Sequence, residues 1–376
     1  MAFFDYALAQ MIEPSNLLVK IESILDWQPI SEMLDKKLGK RDISIAGKIP
    51  YNSLSMFKVL LIQQWHTLSD PKMEDALRTR IDFMWFTGFG LATNEFVVPD
   101  ETTICRFRNK LIKTKLLGKL LSEVNKQLEL HKLKVKISEG AVLDATLIEA
   151  AVNSRAKPQV IVEDRKENDG NDNTGNPSNT LPVEVKSLAA NDQSSIEIDK
   201  DAKWLKKGKK NIFGYKGFIT TDATDGYIES IQVTAANVSE VTNLEPALSG
   251  VNKMGMKVLY TDKGYASASN VEWLESNRIG NGIMDKAKRN TLLTKKQMYR
   301  NKRISKTRYI VERTNATVKN IFKFGKTRYV GLKRVTGQAI LVAVAHNLLK
   351  AANKIDINMT FYRKVVSKNC LNGLFA

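Results

Sequence analysis

The chain has 376 residues, with 58 Lys and Arg against 40 Asp and Glu, a formal net charge of +18. An apolar fraction of 43% excludes a disordered chain, and the cationic excess points to a polyanionic partner, nucleic acid before an anionic membrane surface. Cys105 and Cys370 are far apart and lack CxxC spacing, which argues against a disulfide framework or a zinc module and fits a reducing cytosol.

Residues 1–135 are predicted to be mostly helical, beginning with an acidic N-terminus, MAFFDYALAQMIEPS, that lacks the basic start of a signal peptide. In YNSLSMFKVLLIQQWHTL, the spacing of Leu54, Phe57, Leu60, Leu61 and Trp65 is helical. The next helix is predicted to open with Asp70 as its cap and Pro71 at the first helical position. A third has its cap near Asp100 and carries Arg106, Arg108 and Lys110. Short helices with basic exposed faces suit a DNA-binding domain, and a plain helical bundle with solvated lysines fits the same pattern equally well.

From about residue 138 the pattern becomes mixed. Ala141–Leu143 form a short apolar strand leading into Asp144. Residues 153 to about 200 are polar and read as an insertion between two strands. KWLKKGKKN follows, with Lys206 and Lys207 as candidate contacts to DNA backbone; a solvated loop is the alternative. NIFGYKGFITTDATDGYIESIQVTAAN reads as a hairpin turning at Asp225-Gly226. Asn237 with Glu240 three residues on has the spacing of a capping box for a helix through Leu248. MKVLYT is a strand ending at Asp262, ASASNVEWLESNRIG a helix, and NGIMDK a strand ending at Asp285. Asp222 and Asp285 are spare acids read mainly as turn residues. A strongly periodic helix then carries Glu312, and AILVAVAHNLL is too short to span a bilayer and reads as a buried helix. The implied fold class is α/β: a mixed sheet flanked by helices, behind a helical N-terminal segment.

Three carboxylates stand out. Asp144 and Asp262 follow β-branched runs, and Glu312 lies on a helix that can be laid out at about 100° per residue. Ile310, Val311, Thr314, Val318, Ile321 and Phe322 form one face of it; Arg308, Glu312, Asn315 and Lys319 form a stripe beside them. His66, His131 and His346 are dispersed, so a metal site would be made of carboxylates, which favours Mg²⁺, with Mn²⁺ as a substitute, over zinc. Three acids from separate elements in so basic a chain suggest two divalent ions acting on a phosphodiester.

DATLIEA, TDKGY and R-x-x-x-E-x-x-x-x-x-x-K together resemble the signatures of the DDE transposases of insertion sequences, in particular the IS5 group of the IS4-like class. The resemblance implies an RNase H-like catalytic domain over 138–350. It implies Asp144, Asp262 and Glu312 as catalytic acids and metal ligands, with Arg308 and Lys319 on the phosphates of the DNA end. The related pattern has a tyrosine three residues before the arginine, where this chain has Ser305. The implied partners are double-stranded DNA, as transposon ends and target, and a second copy of the chain in the synaptic complex, with no membrane. The implied location is the bacterial cytoplasm, at the nucleoid. Residues 1–135 would be the DNA-binding domain and 351–376 a tail. A nuclease that cuts without joining, or a repressor with a degenerate site, would share most of these features.

Overall fold

The computed structural model describes residues 11–39, 50–89, 98–135, 140–152, 159–160, 184–186, 199–253, 255–287, 290–357 and 362. Its first part is helical: α1 (Leu17–Ile24), α2 (Trp27–Leu38), α3 (Ser53–Trp65), α4 (Asp70–Thr79), α5 (Ile81–Thr87), α6 (Glu101–Lys113) and α7 (Leu117–Leu130). Asn52 caps α3 by accepting from the amides of Leu54 and Ser55, at 2.9 and 3.0 Å. Asp100 caps α6 through Thr103 N at 2.7 Å, as its sequence suggests. The cap of α4 is Ser69, with Asp70 and Pro71 at the first two helical positions. The carboxylate of Asp70 is diverted instead to two guanidinium nitrogens of Arg108, both at 2.7 Å, because a paired charge-assisted contact outweighs a cap.

The sheet comprises β1 (Ala141–Glu149), β2 (Gln159–Val160), β3 (Glu184–Lys186), β4 (Lys203–Lys207), β5 (Lys210–Asp222), β6 (Ile228–Ala235), β7 (Val258–Thr261) and β8 (Gly280–Ile283). Its centre runs β6-β5-β1-β7-β8. β5 is antiparallel to β1 and β6, whereas β1, β7 and β8 are parallel. β2, β3 and β4 form an antiparallel ladder on the far end of β5. The predicted polar insertion otherwise lies outside the described residues. The basic run KWLKK is a strand, with Leu205 buried and Lys206 and Lys207 exposed.

The β5–β6 turn is built on Asp222. Its carboxylate accepts from the amides of Thr224, Asp225, Gly226 and Tyr227, at 2.6–3.2 Å. Gly226, at φ +77°, supplies the left-handed residue. The helix expected from Asn237 to Leu248 is reduced to a 3₁₀ turn, Val241–Asn243, and a single α turn, α8 (Leu244–Ala247). Glu240 therefore caps nothing; its carboxylate turns to Lys216, 3.7 Å away. α9 (Ala268–Ser276) links β7 to β8. β8 ends at Ile283, short of Asp285, which is held by Arg300 at 2.9 Å.

α10 (Lys295–Asn320) starts well before Arg308, so the basic stretch preceding that residue is helical too. A capping box between Thr294 and Gln297 opens it. α11 (Leu332–Ala352) has the length and composition to cross a membrane, yet most of it is buried inside this protein. It packs on β6, α7, α3 and α1. Its Asn347 donates to Ile228 O at 2.8 Å and accepts from Ile228 N at 2.8 Å, which satisfies backbone groups at the sheet edge. One core joins α11, the N-terminal helices and one sheet face, including Val142, Ile219 and Ile231. A smaller core on the other face includes Leu143, Phe218, Leu259 and Leu274.

Candidate active site

Asp144 and Asp262 are brought together by strand register. Ala141 pairs with Leu259 and Val142 with Tyr260 in parallel ladders. Continued two residues, that register sets Asp144 level with Asp262, on strands roughly 5 Å apart. Val142 and Tyr260 both pack against the larger core, so by the two-residue alternation of strands both aspartates face the same side. Asp144 lies in the middle of β1, whereas β7 ends at Thr261. Asp262 opens a 3₁₀ turn and accepts from Gly264 N at 2.7 Å.

α10 lies over that side. Val311, Thr314 and Val318 are buried against the sheet, and Thr314 Oγ1 donates to Gly226 O at 2.9 Å. Ile321, predicted on the same face, falls beyond the last helical residue and is 49% exposed. The neighbouring stripe meets the aspartate: Arg308 Nη2 lies 3.1 Å from Asp144 Oδ1, and Asn315 Nδ2 donates to Asp144 Oδ2 at 2.8 Å. Glu312 and Lys319, on that same stripe, line an open cleft of about 430 Å³ with Asp144, Glu149, Asn315 and Lys207.

The electrostatics follow from burial. Burial pushes the Asp144 carboxyl above its ordinary range, against the pull of Arg308 and with the help of Asp262. Burial lowers the Lys319 amine, and the nearby Lys207 lowers it further. Among the described residues, three buried polar atoms beside the aspartates have no partner: Arg308 Nε, Asn315 Oδ1 and Tyr265 Oη. Among the described residues no three acids, histidines or cysteines stand close enough to hold one ion, and Arg308 and Asn315 occupy the Asp144 carboxylate.

The donor set nevertheless fits a hard divalent ion. It consists of carboxylate oxygens and an unsatisfied amide oxygen, with no imidazole or thiolate. Gly264 also leaves a cradle: a Cβ there would collide with a carboxylate oxygen of Glu240 and lie 2.9 Å from Asp262 Oδ1. Asp144, Asp262, Glu312 and Asn315 are the residues able to hold such ions.

The other candidates divide. Lys207 reaches the cleft, Lys206 is exposed beside it on β4, and Arg106 is exposed on α6. Arg108 is not on an exposed face as predicted: it is 4% exposed, clamped by Asp70 and stacked over the Tyr329 ring at 4.4 Å. Asp222 and Asp285 serve the turn and the Arg300 contact. The sequence reading missed Glu240, because its three-residue spacing from Asn237 matched a cap. It also missed Lys216, which is buried within β5 and donates to Val238 O at 2.7 Å.

A family model for the transposase DDE domain matches residues 138–348, and one for a transposase domain, DUF772, matches residues 6–110. The transposase for insertion sequence element IS1106 of Neisseria meningitidis serogroup B is 38% identical over 251 residues, covering 67% of this chain and 78% of that protein. No solved structure matches.

Proposed function

Because the chain belongs to the DDE transposases, we propose that Asp144, Asp262 and Glu312 form its catalytic centre and act on the ends of an insertion sequence of the IS5 group. The observation that carries this reading is the register of the parallel strands β1 and β7, which sets Asp144 on β1 level with Asp262 just past the end of β7, beneath the α10 stripe that bears Glu312. The sheet order β6-β5-β1-β7-β8, antiparallel only at β5, supports an RNase H-like core.

Asp144, Asp262 and Glu312 would hold Mg²⁺, or Mn²⁺ in its place, and such ions would supply an activated oxygen nucleophile and relieve charge on the phosphate. The side chains do the rest. Asp144, released from Arg308, would be one of the ligands, and the guanidinium fork of Arg308 would then be free for a DNA phosphate, where its geometry allows two hydrogen bonds. Lys319 and Lys207, which line the same cleft as Asp144, neutralise the DNA backbone there. Glu312, exposed and without a described hydrogen bond or ion pair, is free to ligate. Hydrolysis of the phosphodiester at the element's end leaves a 3′-OH and a 5′-phosphate, and in the joining step that 3′-OH, losing its proton, bonds to a target phosphorus as the target's own 3′-oxygen leaves and is protonated.

In this reading residues 1–135 bind the terminal inverted repeats, with Arg106 on the backbone, and 138–350 do the chemistry. The range matched by each family model supports that division. The protein works on double-stranded DNA as a homodimer, in the bacterial cytoplasm at the nucleoid; the expected tail, 351–376, begins inside α11, where Ala351 and Ala352 belong to the core, and most of it lies outside the described residues.

Cleavage of a labelled duplex carrying the element's own end, with Mg²⁺, Mn²⁺, Ca²⁺ or no metal, tests the proposal. Cutting at the end is expected with Mg²⁺ or Mn²⁺ only. It is lost in Asp144→Asn, Asp262→Asn and Glu312→Gln while end binding survives. A variant that still cuts removes its residue from the site. Cutting without joining leaves a nuclease, and tight binding without cutting leaves a DNA-binding protein.

A further inference from the structure

Glu240 comes to the acid pair from the opposite side of the sheet. Lys216, its partner, sits two residues from Phe218, whose ring belongs to the smaller core, and pairs across the ladder with Leu147 rather than with the row of Asp144. The 3₁₀ turn that follows Glu240 packs on the one that follows β7, which brings the Glu240 carboxylate past the end of β7 to the turn of Asp262. There a Cβ on Gly264 would meet a carboxylate oxygen of each of the two acids. The hydroxyl of Tyr265 is fully buried, has no partner among the described residues, and lies in the field of Glu240, Asp144 and Asp262. Lys216 answers only part of this negative charge: its amine is 3.7 Å from Glu240 and spends its short contact on Val238 O.

We propose that Glu240 is a fourth carboxylate of the metal centre, sharing with Asp262 the ion on the α8 side, above the Gly264 cradle. This rests on the reading of Asp144, Asp262 and Glu312 as metal ligands. Two neighbouring carboxylates over a glycine, next to an unsatisfied hydroxyl, form a strongly disfavoured arrangement without a cation. A divalent ion between them would offset their repulsion. Tyr265 would then donate to a ligand oxygen and orient it, as a supporting hydrogen bond does in other metal sites. Lys216 is the counter-charge that keeps Glu240 in place in the metal-free protein.

The test is a calorimetric titration of the full chain with Mn²⁺ alone, without DNA, for the native protein and for Glu240→Gln, Asp262→Asn and Lys216→Met. Glu240→Gln and Asp262→Asn should each weaken Mn²⁺ binding by at least about 10-fold or remove one bound ion. Lys216→Met, which breaks the ion pair and keeps the carboxylate, should bind Mn²⁺ at least as tightly as the native chain. Native affinity in Glu240→Gln, with loss in Asp262→Asn, would overturn the proposal and leave Glu240 as the counterion of Lys216. Native affinity in Asp262→Asn as well would overturn the metal reading itself. Should Glu240→Gln fail to fold, Glu240→Asp decides the matter, because it keeps the charge facing Lys216 and draws the carboxylate back by one methylene. Weaker Mn²⁺ binding in Glu240→Asp supports the proposal, and native affinity overturns it.

Discussion

Arg308 holds Asp144 in a 3.1 Å ion pair in which the two side chains are only 13% and 17% exposed. With Asn315 on the other oxygen, the aspartate is kept in place before any ion or DNA arrives. The same contact competes with metal. Arg308→Ala is therefore expected to raise the affinity of the DNA-free protein for Mn²⁺ several-fold while lowering end cleavage. Calorimetry and a cleavage assay on the same preparation would check it. A fall in Mn²⁺ affinity would mean that Arg308 organises the site rather than guarding it.

Lys319 borders the cleft, where burial and Lys207 make its charge costly in the free protein. A phosphate would remove that cost. Lys319→Ala should weaken end binding and reduce the slope of log K against log salt by about 1. An unchanged slope would make Lys319 a structural residue.

Arg106 and Arg108, two residues apart, should behave oppositely. Arg106→Ala removes an exposed charge and should weaken DNA binding with little change in melting temperature. Arg108→Ala leaves Asp70 without its bidentate partner and should cost about 3 kcal/mol of stability. Thermal melts and filter binding on both variants separate the roles.

Gly226 couples the hairpin to the helix of Glu312. A Cβ there would stand 2.8 Å from Ile310 Cγ2 and from Thr314 Oγ1, on a backbone already at φ +77°. Gly226→Ala should cost about 1–3 kcal/mol and push α10 off the sheet. Cleavage should fall further than stability does, because Glu312 and Arg308 move with the helix. Full cleavage at a temperature where the variant is folded would contradict this coupling.

His346 is buried in α11, and burial lowers its pKa to about 4. The unfolded chain takes up this proton near pH 6.5, whereas the folded chain resists it until about pH 4. The neutral ring thus contributes stability that is fully present above pH 6.5 and is lost as the pH falls toward 4, by about 3 kcal/mol in all. His346→Leu should flatten the fall in denaturant midpoint between pH 7 and pH 4. An unchanged slope would assign the acid loss to other groups.

The alternation of strands and helices, the acids that end or interrupt apolar runs, and the composite stripe on α10 are all written in the order of residues along the chain. Each of these is a local periodicity, readable from side chains a few residues apart. The stripe of Arg308, Glu312, Asn315 and Lys319 was legible because a helix carries the third and fourth neighbours on one side. What each polar group bonds to was decided only by tertiary structure. Asp70 has the position of a cap and becomes the partner of Arg108, 38 residues away. Glu240 has the spacing of a capping box and turns instead to Lys216 and Asp262. Arg108 follows the pattern of an exposed basic face and is buried by Tyr329. A carboxylate's best partner is set by which charges the fold brings within a few ångströms, and that distance is fixed by sheet register and helix packing rather than by neighbours along the chain.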